Sequence, residues 1–287
     1  MNPALACPPG VALETPWPKP GCNLVGGARA VAGASWYSRS FLPAMAAVID
    51  RRLLVNFRVA PAVLAALLPR PFRPHLVHGW GLAGICLLRL RDARPLGLPA
   101  FVGLNSENAA HRLAVEWDDA DGRVRTGVFI PRRDTASRVN RLVGGRLFPG
   151  VHHAAEFTVR EPGNRFKIAM RSADGVASLR VHGHLATDWP RGSVFASLAE
   201  ASEFFAAGSL GWSPTADGAA CEGLELRSRE WRMDALAVDW VESSFFADPA
   251  RFPAGSWKFD SALVMRGIPC EWRAGGILRG SRAATPV

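Results

Sequence analysis

Lysine is nearly missing from this chain: of 34 Lys and Arg residues only Lys19, Lys167 and Lys258 are lysines, leaving 31 arginines. The net charge of +9 invites a nucleic-acid surface, because clustered cations neutralise phosphates. These arginines are instead spread over nearly every segment and interleaved with acids, without a basic stripe or a DNA- or RNA-binding motif. Nucleic acid is therefore not an expected partner. Cysteine is scattered too. Cys7, Cys22, Cys86, Cys221 and Cys270 are odd in number and form no CxxC pair, which argues against a disulfide framework and a zinc knuckle and fits a reducing cytoplasm. No run of about 18 uncharged apolar residues exists, so no helix is expected to span a membrane. The start, MNPALACPPG, lacks the basic and apolar regions of a secretory signal. There is no GxSxG nucleophile motif, and Gly144-Gly145 and Gly275-Gly276 lack the spacing of phosphate or dinucleotide loops.

What is present points to a globular chain with a sizeable core, 48% apolar over 287 residues. Residues 1–45 are rich in Pro, Gly and Ala without periodicity and read as a poorly ordered leader, with 46–287 as a single domain. Met45 stands just before the first strong strand and is an alternative translation start. Val48–Arg58 alternates as a strand. Pro61 opens a short helix with Val63, Leu64, Leu67 and Leu68 on its apolar side. Trp80–Leu90 is a buried-looking strand, and Ala110–Ile130 has the pattern of a hairpin around Asp118–Gly122. Three strands follow at His152–Arg160, Arg165–Arg171 and Ser178–Ala186, separated by Pro162-Gly163-Asn164 and Ala173-Asp174-Gly175. Ser197–Ala207 is helical, and Leu224–Met233, Leu236–Phe246 and Ser261–Arg273 close the chain as strands. About ten strands with three short helices predict an α+β domain on a mainly antiparallel sheet or barrel.

The densest stretch is Arg132–Ala154. Asp134 reads as an N-cap, Ala136, Val139, Leu142 and Val143 as a helical stripe, and Gly144-Gly145 as its stop before a strand. On that strand His152 and His153 point to opposite faces, so one of them is expected to line a pocket, where imidazole suits acid–base work near neutral pH. His182 and His184 share a strand face as two metal ligands would, yet no third ligand is identifiable from sequence, and no metal or cofactor is assigned. Glu107 and Asn108 set a carboxylate and an amide in apolar surroundings; a salt bridge is the plainer alternative to a tuned acid. Arg51-Arg52, Arg132-Arg133 and Arg146 are forks of the kind that hold carboxylate or phosphate, although most arginines belong on the surface.

The order VNFRVAPAVLAALLPRPFRPHLVHGW, SENAAHRLAVEW, GGRLFPGVHHA, SSFFADPARFPAGS and FDSALVMRGIPCEW resembles the YqjF-like family of uncharacterised proteins, domain of unknown function 2071, over roughly Val48–Trp272. That family is grouped with the acetoacetate decarboxylase-like superfamily. The resemblance implies a cone-shaped, mainly antiparallel β-barrel around a small-molecule cavity. In the decarboxylases a Gly-Arg-Glu segment leads into a Pro-Lys-Lys run whose first lysine forms a Schiff base. Gly145-Arg146-Leu147 resembles the first part, His152-His153 falls where Pro-Lys would be, and Ala154 falls at the second lysine. The family's active-site glutamate matches Glu107 and its arginine Arg51. Imidazole cannot form that imine, so acetoacetate decarboxylation itself is not expected.

Two functions follow. One is an enzyme on an anionic carbonyl or carboxylate metabolite, of lyase, isomerase or hydrolase type. In it His153, or His152 in a shifted register, is the acid–base group, Glu107 the proton relay, and Arg51, Arg146 and Asn108 the ligand-binding groups. The other is a non-catalytic barrel that binds a small anionic molecule, with Trp80, Trp189 or Trp212 among its lining residues. A homo-oligomer stays open in both.

Overall fold

The computed structural model describes residues 44–139 and 149–279. Strand formation dominates because β-branched and aliphatic residues alternate over long spans. β1 (Met45–Val59) is the first, followed by α1 (Pro61–Ala66) with its proline in the first turn and the short β2 (Arg73–Pro74) and β3 (Leu76–Val77). β4 (Trp80–Pro95) and β5 (Leu104–Asp118) flank a 3-10 turn at Ala100–Val102, and β6 (Val124–Thr135) returns from β5. β7 (His152–Arg160), β8 (Arg165–Ser172) and β9 (Ser178–Leu185) form the expected meander, two of whose turns are made by Gly163 at φ 61° and Gly175 at φ 71°. Then come α2 (Leu198–Ala207), β10 (Leu210–Pro214), β11 (Ala220–Arg227), β12 (Asp234–Ser243) and the 23-residue β13 (Trp257–Arg279). α2 starts where Ser197 Oγ accepts the Glu200 N–H at 3.2 Å.

Among the described residues all thirteen strands belong to one sheet. Its pairings return on themselves: β13–β1–β4–β5–β6–β10–β11 leads back to β13, and β7–β8–β9–β12 joins β6 to β13 by a second route. One apolar cluster lies on the inward side, with Leu53, Val55, Phe57, Ile85, Leu113, Trp117, Ile168 and Phe246. A second lies on the opposite side beneath α2, with Ile49, Leu54, Leu82, Phe205 and Met265. The middle of β1 is therefore buried on both faces.

The sheet is mainly antiparallel, as expected, but not exclusively: β6 runs parallel to both β7 and β10. One expectation is corrected. Asp134 is not an N-cap. It lies inside β6, 1% exposed, where the two-residue strand repeat sets it beside Arg132 on one face and gives its carboxylate a buried cation. The remainder of the helix expected there, Gly144-Gly145 and Arg146 lie outside the described residues, as does nearly all of the leader.

Candidate functional site

A bulge creates the first element of the site. Between Ile49 and Arg51 the register of β1 against β4 shifts by one residue, so Ile49 faces α2 while Arg51 joins Leu53 and Val55 on the inward side. Arg51 then pairs across to Arg89 on β4, and Arg89 to Glu107 on β5, which places three charged residues in one row. Glu161, the residue after β7, completes a ring. Arg51 Nη2 donates to Glu107 Oε2 at 2.5 Å and its Nη1 to Glu161 Oε1 at 2.5 Å. Arg89 Nε donates to Glu107 Oε1 at 2.5 Å and its Nη1 to Glu161 Oε2 at 2.7 Å. Each carboxylate thus spans both guanidinium groups, and the four charges cancel. Arg51 is 2% exposed, and burial makes these bonds far stronger than those of a surface pair. Asp50, displaced by the bulge, takes Arg91 at 2.7 Å. Burial opposes the charge on Arg89, but the Glu107 and Glu161 carboxylates outweigh it and raise its pKa.

The second element lies on the same face. Arg132 Nη2 reaches Asp134 at 2.8 Å and Asp174 at 2.9 Å. Asp174 sits in the β8–β9 turn, where the Ser172 hydroxyl donates to it at 2.6 Å and the Val176 N–H at 3.0 Å. Burial works against its charge, yet these bonds and Arg132 hold its pKa down to about 2. Asp134, buried more deeply, is raised by desolvation. His153 Nδ1 stands 3.4 Å from Asp174, and burial, followed by the Arg132 charge, lowers its pKa below 6.5. Behind this group His111, fully buried, meets Ser243 Oγ through Nε2 at 2.8 Å and stacks on Phe245 at 4.6 Å; desolvation takes it down to about 3.

Asp134 pairs with Ala109 on one side and His153 on the other, so the two elements are neighbours on the inward face. Glu107 and His153 do not bond each other. They are separated by two strand spacings across and two residues along, on the order of 12 Å in strand geometry. Of the residues singled out from sequence, Arg51 and Glu107 meet directly, and His153 joins the adjacent aspartates. His152 faces the other way, as strand alternation requires, with Nδ1 at 3.2 Å from the Gly150 carbonyl and its pKa lowered to about 3 by burial and Arg133. Asn108 also faces away and is held within the sheet, donating to Ser106 Oγ at 2.9 Å and accepting from Thr135 at 2.8 Å. Arg146 is outside the described residues. His184 lies 3.3 Å from Asp239, and among the described residues no group of three or more His, Cys, Asp or Glu is gathered for a metal. Trp80 is exposed, Trp189 bonds the Phe195 carbonyl, and Trp212 packs on Trp117 in the core, so the three do not share a pocket. Lys167 and Lys258 are both exposed. A surface pocket of about 540 Å³ lies elsewhere, between α1 and β2, with Arg73 and Glu116 at its edge paired to each other at 2.7 Å.

Sequence reasoning named Arg132 among the candidate anion forks but missed Arg89, Glu161, Asp134 and Asp174 as members of the site. The Arg132-x-Asp134 spacing on a strand was a usable signal for one pair; the contacts of Glu161 come from ladder register alone.

Comparison with protein families matches residues 47–245 to a family model described as an uncharacterised conserved protein, DUF2071. The chain belongs to the DUF2071 family. Comparison with the curated proteins gave no match. Among solved structures this DUF2071 chain is similar to the acetoacetate decarboxylase of Legionella pneumophila subsp. pneumophila str. Philadelphia 1, at 11% identity and TM-score 0.55, covering 86% of this chain and 92% of that one. It is similar to an acetoacetate decarboxylase-like enzyme from Sphingomonas wittichii RW1, at 15% identity and TM-score 0.50, with 84% and 92% covered. The enduracididine biosynthesis enzyme MppR complexed with pyruvate aligns at 13% identity and TM-score 0.52, covering 88% and 99%. These likenesses establish an acetoacetate decarboxylase-like fold for the DUF2071 chain.

Proposed function

We propose that this DUF2071 protein is an enzyme acting on a small anionic carbonyl or carboxylate metabolite, of lyase, isomerase or hydrolase type, at the inward face of a cone-shaped barrel. The observation that carries this is the double guanidinium: Arg51 and Arg89 each hold one oxygen of the Glu161 carboxylate, the geometry that a substrate carboxylate requires. Glu107 keeps both arginines aligned. His153 supplies the proton transfer. Its Nδ1 lies 3.4 Å from Asp174, and burial with the Arg132 charge favours the neutral imidazole, the form that acts as a base. The exposure of Lys167 and Lys258 supports chemistry without a Schiff base. Arg146, outside the described residues, is proposed as a further ligand-binding group on the family resemblance alone, and the scattered cysteines fit a cytoplasmic setting.

A second reading, a non-catalytic barrel that binds a small molecule, is favoured by the separation of Glu107 from His153 and by the mutual satisfaction of the four-charge ring. Turnover of a panel of keto acids and hydroxy acids, followed by NMR, separates the two. The catalytic reading expects loss of turnover in Glu107→Gln and His153→Asn while both variants stay folded, Glu107→Gln with a lowered midpoint because it leaves Arg51 and Arg89 short of one charge. Binding without turnover by the wild type establishes the second reading, and full activity in both variants removes these residues from the mechanism.

A further inference from the structure

The opposite side of the sheet carries arginines that the inward site does not use. Arg52 alternates away from Arg51, and the register places Leu54, Cys86, Ala110 and Arg133 in one cross-strand row, with Arg52 one step to one side and Arg112 one step to the other. Arg52, Cys86 and Arg112 therefore lie on a diagonal across β1, β4 and β5. Small residues stand beside Arg52 and Arg112: Cys86 on the diagonal between them, and Gly84 so close to Arg112 that a Cβ would lie 3.3 Å from its Nη2. Two aromatic rings stand over them, Phe205 at 4.5 Å from the Arg112 guanidinium and Trp231 at 5.8 Å from that of Arg52.

None of the three arginines has a carboxylate partner among the described residues. Arg112, 5% exposed, donates from Nη2 to Asn56 Oδ1, while its buried Nε has no hydrogen-bond partner. Arg52 Nη1 is buried without a partner as well. Arg133 donates from Nε to the hydroxyl of Ser213 at 2.9 Å. The buried acid on this side, Asp260, is already held by Ser193, the Val194 N–H and Ser261. Burial pushes Arg112 down to about 9 and Arg133 down to about 10, so both guanidinium groups lack a compensating charge. Buried cations are ordinarily paired, and here the partner is absent from the chain's described residues. Cys86, Ala110, Arg52 and Arg133 are half-buried, which leaves the floor reachable from solvent.

We propose that this face holds a second small-molecule site, distinct from the inward one, where Arg52 and Arg112 receive the oxyanion of a ligand, phosphate or carboxylate, above Cys86. Phe205 and Trp231 flank the attached organic group.

The test is thermal unfolding and calorimetry of the full chain with inorganic phosphate, and separately with acetate, against chloride at equal ionic strength. One of the two anions is expected to raise the midpoint by about 5 °C or more at about 100 times its Kd. Which one acts tells phosphate from carboxylate. Arg112→Met is expected to weaken that binding by roughly tenfold or more, the weight of one charge-assisted hydrogen bond. Cys86→Met fills the floor while keeping every arginine, and abolishes the shift even if Arg112→Met does not fold. Glu107→Gln, at the inward site, keeps it. No shift beyond chloride, or an undiminished shift in Cys86→Met, overturns the proposal.

Discussion

Replacing Arg51 by Met isolates the energy of the four-charge ring. The methionine keeps the volume of the buried stem but removes both 2.5 Å bonds, leaving Glu107 and Glu161 to share Arg89. Breaking a fully buried ion pair costs about 3–5 kcal/mol, chiefly through the uncompensated charge left behind. Here the cation is 2% exposed but the carboxylates are 17% and 21% exposed, so water screens part of the loss and about 2–4 kcal/mol is expected. In a domain of this size that lowers the thermal midpoint by roughly 5–15 °C. The stringent measurement is a double-mutant cycle. Glu161→Gln in the Arg51→Met background removes the surplus negative charge and should recover about half of the loss, a coupling of about 1–2 kcal/mol by urea denaturation. A cost below about 1 kcal/mol for Arg51→Met, or additive effects of the two substitutions, would refute the view that the ring acts as one electrostatic unit.

Three further outcomes follow from other parts of the molecule. His111 is neutral in the folded state with its pKa near 3, so its stabilising contribution is complete above about pH 6.5 and declines as pH falls toward 3, because the unfolded chain protonates first. Urea midpoints between pH 7 and 4 should fall, with a slope of about 1.4 kcal/mol per pH unit from this ring, and His111→Gln should flatten the slope; an unchanged slope in the variant counts against it. Arg132→Met leaves Asp134 buried without its cation and should cost about 3–5 kcal/mol, with Asp134→Asn rescuing more than half, both read by chemical denaturation. Ser197→Ala removes the N-cap of α2 and should cost about 1 kcal/mol, a loss that Ser197→Asp restores.

How much of this was visible in the residues depends on how local each cause is. The meander at β7–β9 was legible because its strands alternate and its turns contain Gly163 and Gly175, both of which need positive φ. The same holds for the hairpin at Asp118–Gly122. β2, β3 and β10 are too short to show a period. Asp134 was misread because an acid before Ala136 and Val139 looks like a helix cap, whereas its environment is set by Arg132 two residues earlier and by a parallel neighbour that no local pattern reveals. Arg51 and Glu107 could be named from the family resemblance. Arg89 and Glu161 could not, since Glu161 reaches Arg51 across 110 residues of chain and its role depends on where β7 ends. A bulge at Asp50 decides which of two adjacent arginines faces inward, and the sequence Asp-Arg-Arg carries no sign of it.

The length of β13 has a consequence for how the protein is made. Met45, at the start of β1, pairs with Trp272, and the same 23-residue strand also receives β11 and β12, so one ladder of β1 closes early on β4 while the other waits for β13. Such long-range pairing slows folding and leaves one edge of β1 open until β13 is made. Loss of β13 would therefore remove the strand that closes both circuits of the sheet, so truncation there opens the fold instead of shortening it.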